Sequence, residues 1–218
     1  MNRLEKKIGL NFKNKALLTQ ALTHTSYANE NNAEHNERLE FLGDALIGLL
    51  MGEYLYNEGG KTEGEMSKKR AELVREEALD IYAKEINLSK YLLLGKGVLQ
   101  FDGANNPAII ADAYEALFGA IYLEFGFDKT KEMFYKLIIP HIQAVKITDY
   151  KSTLQELVQV DRRNITYYLE KEEGPAHNKT FTVSVRMDSI VLGRGMSKTK
   201  KDAEQEAAKE ALNKLVKE

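Results

Sequence analysis

Apolar residues recur at helical spacing along most of the first two-thirds of the chain. Between Asn36 and about Tyr56, Leu39, Leu42, Leu46, Leu49 and Leu50 follow a 3.6-residue period, which predicts an amphipathic helix. Ala16, Leu17, Gln20 and Ala21 in "NKALLTQALTH" predict a shorter one. The paired glycines of "NEGGKTEG" end the long helix, and a single polar helix is predicted through "EMSKKRAELVREEALDIYAKEI". After the loop "GKGVLQFDGANN", Pro107 suits the first position of a helix and Asn106 suits its cap. The segment that follows, "PAIIADAYEALFGAIYLEFG", is almost wholly apolar and predicts a buried helix. A last helix of this region is predicted from about Asp128 to Ile139.

The period changes near Asp149. "DYKSTLQELVQV" predicts a short amphipathic helix with an Asp cap, and "ITYYLEKEEG" is rich in strand formers. "KTFTVSVRM" alternates, with Phe181, Val183, Val185 and Met187 on one face and Thr182, Ser184 and Arg186 on the other, the signature of a half-buried strand. "SIVLGRG" predicts a third strand. "TKKDAEQEAAKEALNKLV" predicts a helix with Ala203, Ala207, Ala208, Ala211, Leu212 and Leu215 along one stripe. The expected architecture is an all-α domain over 1–146 followed by a small α+β domain (α-β-β-β-α) over 149–218. The second is of a size that folds alone, and a short polar joint near 144–149 separates the two.

Composition narrows the chemistry. The chain has 218 residues, 43% hydrophobic and 29% charged, as in ordinary soluble globular proteins. It has no cysteine, and its four histidines include no His-x-x-x-His pair, which excludes disulfides, thiolate metal sites and a zincin-type centre. A metal would have to be held by oxygen ligands, which suit Mg²⁺, Mn²⁺ or Ca²⁺. No apolar run approaches the roughly 18 residues of a membrane span, and "MNRLEKKIGLNFKNK" has no signal-peptide core, so a cytoplasmic protein without a membrane partner is expected. The net charge of −2 hides a local excess: 174–201 carry six basic residues against one acid, Asp188, which suits a polyanionic partner. "GGKT" at 59–62 imitates the end of a phosphate-binding loop. Leu55 occupies the position where that motif needs glycine, and a helix precedes it where a strand is required, so no nucleotide cofactor is expected.

The acids stand out most. "NERLEFLGD" (36–44) sets Glu37, Glu40 and Asp44 at i, i+3 and i+7, within about 60° on a helix. Asp112 and Glu115 sit at i, i+3 in the nearly apolar second helix. Facing each other, the two helices would gather four or five carboxylates, and a divalent cation would relieve the resulting repulsion. The first pair alone also fits a solvated helix face. The second fits one less readily, because its helix offers so few other polar residues.

These segments carry a family likeness. "NERLEFLGDALIG" resembles the signature of ribonuclease III, and "ADAYEALFGAIYLE" resembles that family's second catalytic helix. "DYKSTLQE", "GPAHNKTFTV" and "TKKDAEQEAA" resemble successive pieces of a double-stranded-RNA-binding domain. The resemblance covers almost the whole chain in family order. It implies a homodimeric, Mg²⁺-dependent endoribonuclease (with Mn²⁺ as a substitute) that hydrolyses phosphodiester bonds of double-stranded RNA to 5′-phosphate and 3′-hydroxyl ends, in rRNA and mRNA processing. By motif position it implies Glu40, Asp112 and Glu115 as metal ligands and Asp44 as the acid that organises the attacking water. Glu37 and Glu63 are implied accessory acids. Phe41 is similar to an aromatic that inserts into the partner subunit, although a core position within one subunit would suit it too.

The resemblance also suggests how RNA would be held. A-form RNA offers 2′-hydroxyls in a shallow minor groove and phosphates across a deep major groove. Gln155, Glu156 and His177 resemble minor-groove contacts. Lys200 and Lys201, opening the last helix, resemble phosphate contacts, with Lys198 and Lys179 as additional cations. Two other readings stay open at this point: a double-stranded-RNA-binding protein without catalysis, and an all-α nucleoside-triphosphate pyrophosphatase, which would have no use for the C-terminal module.

Overall fold

A computed structural model describes residues 3–145, 150–159, 163–175, 179–188 and 190–215. They divide into two compact units, Met1–Lys146 and Ile147–Glu218.

The first unit is helical. Its helices are α1 (Arg3–Ile8), α2 (Lys15–Ala21), α3 (Thr25–Asn31), α4 (Glu37–Glu58), α5 (Glu63–Val74), α6 (Glu76–Glu85), α7 (Lys96–Gln100), α8 (Pro107–Phe125) and α9 (Phe127–Leu137). Local chemistry sets their ends. Asn14 caps α2, and Asn106 caps α8 by accepting from the Ala108 N–H, with Pro107 following. Gly59, at φ 65°, closes α4. Thr62 and Glu65 form a reciprocal capping box that opens α5. The "GGKT" stretch is therefore a helix stop followed by a helix start.

Two helices replace the single one expected over 65–86. Arg75 is extended (φ −70°, ψ 162°) and ends α5 as it begins α6. On one straight helix Leu73 and Tyr82 would point about 180° apart. Both are buried, and the break turns both inward; the Tyr82 hydroxyl donates to the Leu73 carbonyl at 3.1 Å. The predicted loop at 95–106 likewise contains α7 and a 3₁₀ turn, Gly103–Asn105.

The centre of this unit is α8. Ile110, Ala113, Tyr114, Leu117, Phe118 and Ile121 are all buried. Helix α4 lies along it at unusually short range. A Cβ on Gly43 would sit 1.8 Å from the Glu115 carbonyl oxygen, and one on Gly119 would sit 2.3 Å from that of Leu39. The backbones touch because both positions lack side chains.

The second unit has α10 (Tyr150–Gln159), an antiparallel sheet in the order β1 (Ile165–Glu173), β2 (Thr180–Met187), β3 (Ile190–Ser197), and α11 (Lys200–Leu215). Its core joins Leu154, Val158, Val185, Ala207, Ala208 and Ala211. Gly193 and Gly195 let α11 lie directly on β3, since a Cβ at either would come within 2.3 Å of the helix's carbonyls. Ser184, expected on the exposed face, is buried. A bulge between Leu169 and Lys171 inserts Glu170, which binds Arg186 (3.1 Å) and Arg194 (3.3 Å) across that face.

Candidate active site

The close α4–α8 contact decides where the acids meet. Leu39, Leu46, Ile47 and Leu50 anchor the buried side of α4, while Glu40 is half-buried at its edge. On α8, Asp112 and Glu115 are half-buried within an otherwise apolar helix. One oxygen from each of Glu40, Asp112 and Glu115 falls within 4.8 Å of the others.

The electrostatics are those of crowded like charge. Burial pushes Glu115 up to about 8, and Asp44, Glu40 and Asp112 add to the shift. Burial raises Glu40 too, with Asp112, Glu37 and Asp44 contributing. Burial also raises Asp112; the His24 ring pulls it partly back, and Glu37 pushes it further up. Such a cluster of hard oxygen donors could hold a divalent cation.

The remaining acids differ. Asp44 is exposed, outside the group of three, yet near enough to act on Glu115 and Glu40. Glu37 is exposed in the first turn of α4, 3.7 Å from His35 Nδ1. Glu63, in the first turn of α5, accepts from the Ser67 hydroxyl at 2.7 Å and lines a cavity of about 190 Å³ with Gly52, Leu55, Tyr56, Met66 and Arg70. Phe41 is 80% exposed, so a core position within the subunit is excluded.

In the second unit Gln155 is half-buried beside Lys151, Ser152 and Tyr167. Glu156 lies on α10 with its side chain outside the described part, and His177 is outside the described residues. Lys200 and Lys201 are exposed at the start of α11, and Lys198 is exposed just before it. Lys179 is committed to an ion pair with Glu172 at 2.5 Å, which competes with a phosphate contact.

Sequence reasoning missed His24, whose ring is near enough to Asp112 to lower its carboxyl pKa. The available signal was "HTS", a cap two residues ahead of a Ser at a helix start. It also missed Gly43 and Gly119, which set the distance between the acid-bearing helices.

A family model described as ribonuclease-III-like matches residues 14–142, and one for the double-stranded RNA binding motif matches 150–215. A curated relative called Ribonuclease 3, from Onion yellows phytoplasma (strain OY-M), is 51% identical over 207 residues, 94% of this chain and 87% of its own. A Ribonuclease 3 of Listeria monocytogenes serovar 1/2a is 46% identical over 221 residues, covering 98% and 96%. The solved nuclease domain of ribonuclease III from Campylobacter jejuni is 41% identical, with a TM-score of 0.61 over 64% of this chain and 96% of that one. Fold, acidic centre and these likenesses define an endoribonuclease for double-stranded RNA, with a helical nuclease domain ahead of a binding domain. Within that class the chain belongs to the bacterial ribonuclease III family, whose members depend on a metal. A binding protein without catalysis and a nucleoside-triphosphate pyrophosphatase are thereby set aside.

Proposed function

We propose that this chain hydrolyses phosphodiester bonds of double-stranded RNA at the centre formed by Glu40, Asp112 and Glu115, leaving 5′-phosphate and 3′-hydroxyl ends. The observation that carries this reading is the meeting of the three carboxylates in a half-buried place between α4 and α8. They would hold Mg²⁺, with Mn²⁺ as a substitute. Oxygens around Mg²⁺ lie at most ~4.2 Å apart, so the 4.8 Å limit on the three is within reach of small side-chain adjustments. When bound, Mg²⁺ supplies a water of lowered pKa and offsets charge on the scissile phosphate.

The protein's own groups do the positioning. In this reading Asp44, exposed and near enough to Glu115 and Glu40 to raise both carboxyls, accepts a hydrogen bond from the attacking water and holds it in line. Glu37 and Glu63 act at the margin, Glu37 close to the centre and Glu63 on the rim formed by α5. Lys200 and Lys201 meet phosphates, helped by Lys198 and, once released from Glu172, Lys179. Gln155, Glu156 and His177 read the minor groove.

The active form is a homodimer. Phe41, Leu49 (60% exposed) and Tyr56 (74% exposed) form one apolar stripe within about 80° on α4, which a second copy would cover. One solved Campylobacter jejuni relative is described by the flexibility of its region involved in dimer formation. A cytoplasmic role in rRNA and mRNA processing fits the same reading, and among the described residues no helix is long and apolar enough to cross a membrane.

Incubation with duplex RNA, single-stranded RNA and nucleoside triphosphates in Mg²⁺ tests this. Cleavage is expected of the duplex alone, and the new 5′ ends should accept label from a kinase only after phosphatase treatment. Labelling without phosphatase, or preference for single strands, would contradict it.

A further inference from the structure

The acidic centre must receive a polyanion, yet most of the groups named around it so far are acids. The exceptions are His35, 3.7 Å from Glu37, and His24. The chain reaches the latter through a bridge between Thr23 and Leu93, and the His24 N–H donates to the Leu93 carbonyl at 3.0 Å. The Thr23 carbonyl accepts from the Asn36 N–H at 2.9 Å, immediately before α4 begins with Glu37. These bonds hold His24 next to the first turn of the helix that carries Glu40. Its ring also lies near enough to Asp112 to offset part of the rise that burial causes there.

The ring's own hydrogen bonds fix its chemistry. Nδ1 accepts from the Ser26 N–H at 3.2 Å, capping α3, and lies 2.8 Å from the Ser26 hydroxyl. That hydroxyl oxygen also accepts from the Gly95 N–H at 2.9 Å. With Nδ1 committed as an acceptor, the neutral ring carries its proton on Nε2. Among the described residues neither Nε2 nor the Asp112 carboxylate has a hydrogen-bond partner. A cap needs only an acceptor, and Ser, Thr, Asn or Asp supplies one at lower cost. The part of histidine that capping does not use is the Nε2–H.

We propose that His24 is a further catalytic residue: its Nε2–H donates a hydrogen bond to a non-bridging oxygen of the RNA phosphate cleaved at the Glu40, Asp112 and Glu115 centre. The proposal rests on that centre being where cleavage occurs. A donor fixed beside the developing negative charge, at the edge of a half-buried site, stabilises the transition state more than the ground state.

Two substitutions in the full chain separate this role from capping. In His24→Asn, the amide oxygen can replace Nδ1 as the cap, while no donor reaches the Nε2 position. In His24→Gln, the amide N–H reaches toward the Nε2 position, but the cap is lost. His24→Asn is expected to melt like the wild type, to bind duplex RNA in Ca²⁺ like the wild type, and to cleave it in Mg²⁺ about 10–100-fold more slowly under single-turnover conditions. His24→Gln should cleave faster than His24→Asn although it melts lower. Nitrogen-15 spectra of histidine-labelled protein should assign the Nε2–H form to the signal that His24→Asn removes. Wild-type cleavage by His24→Asn, rates that follow melting temperature across both variants, or an Nδ1–H ring would overturn the proposal. A wild type that leaves duplex RNA intact would instead overturn the cleavage reading itself, and this proposal with it.

Discussion

Glu115 shows how a single residue couples the site to stability. Its carboxyl is raised from 4.5 to about 8 by burial and by Asp44, Glu40 and Asp112. Between those values the folded protein holds a proton that the unfolded chain has released. The stability that this proton confers is fully present below about 4.5 and is lost as pH rises through about 8. Glu40 and Asp112 are displaced in the same direction. In EDTA the melting temperature should therefore fall between pH 5 and 9. Glu115→Gln should flatten that fall, and Mg²⁺ should oppose it in the wild type alone; parallel melting curves for the two proteins would contradict this. The acids themselves were legible, because i, i+3 spacing survives in any helix and two acids in a nearly apolar run draw notice. His24 was not. Its position depends on a bridge to Leu93, about seventy residues away in sequence, and no local pattern announces such a contact.

At the scale of elements, the α4–α8 contact brings the acids together. Gly43 faces the Glu115 carbonyl and Gly119 faces that of Leu39, so each helix presents its gap to the other's backbone. Gly43→Ala would force the backbones apart at Glu115 itself. A loss of about 1–3 kcal/mol in urea unfolding is expected, together with weaker Mn²⁺ binding measured calorimetrically; unchanged binding would mean that the contact does not set the site. Helix periods and caps were readable, since Asn106–Pro107 and the paired glycines act locally. The break at Arg75 was not, because no glycine or proline marks it. It arises from the demand that Leu73 and Tyr82 both face the core. The burial of Ser184 was hidden for a related reason: its cover comes from Glu170, Arg186 and Arg194 on three different strands.

For the whole molecule, the order of an all-α domain and an α-β-β-β-α module was legible from the change of period near 149, and the family likeness followed the same order. Assembly was less legible, because an aromatic among leucines reads equally as core or as surface; the exposure of Phe41 removes the first option. Phe41→Glu should leave the fold intact and shift sedimentation toward monomer, whereas an unchanged dimer would place the interface elsewhere. Replacing Lys200 and Lys201 with alanine should weaken duplex binding in Ca²⁺ and lower the salt dependence of log K by about 1–2; an unchanged slope would remove them from the phosphate contacts. The most direct test of the central claim compares wild type with Glu115→Gln on one defined RNA duplex, in Mg²⁺ for cleavage and in Ca²⁺ for binding. The wild type should cut in Mg²⁺, while Glu115→Gln should bind equally well in Ca²⁺ and cut at least about a hundredfold more slowly in Mg²⁺. Equal cleavage by the two proteins would contradict the assignment of the carboxylate centre as the site of hydrolysis.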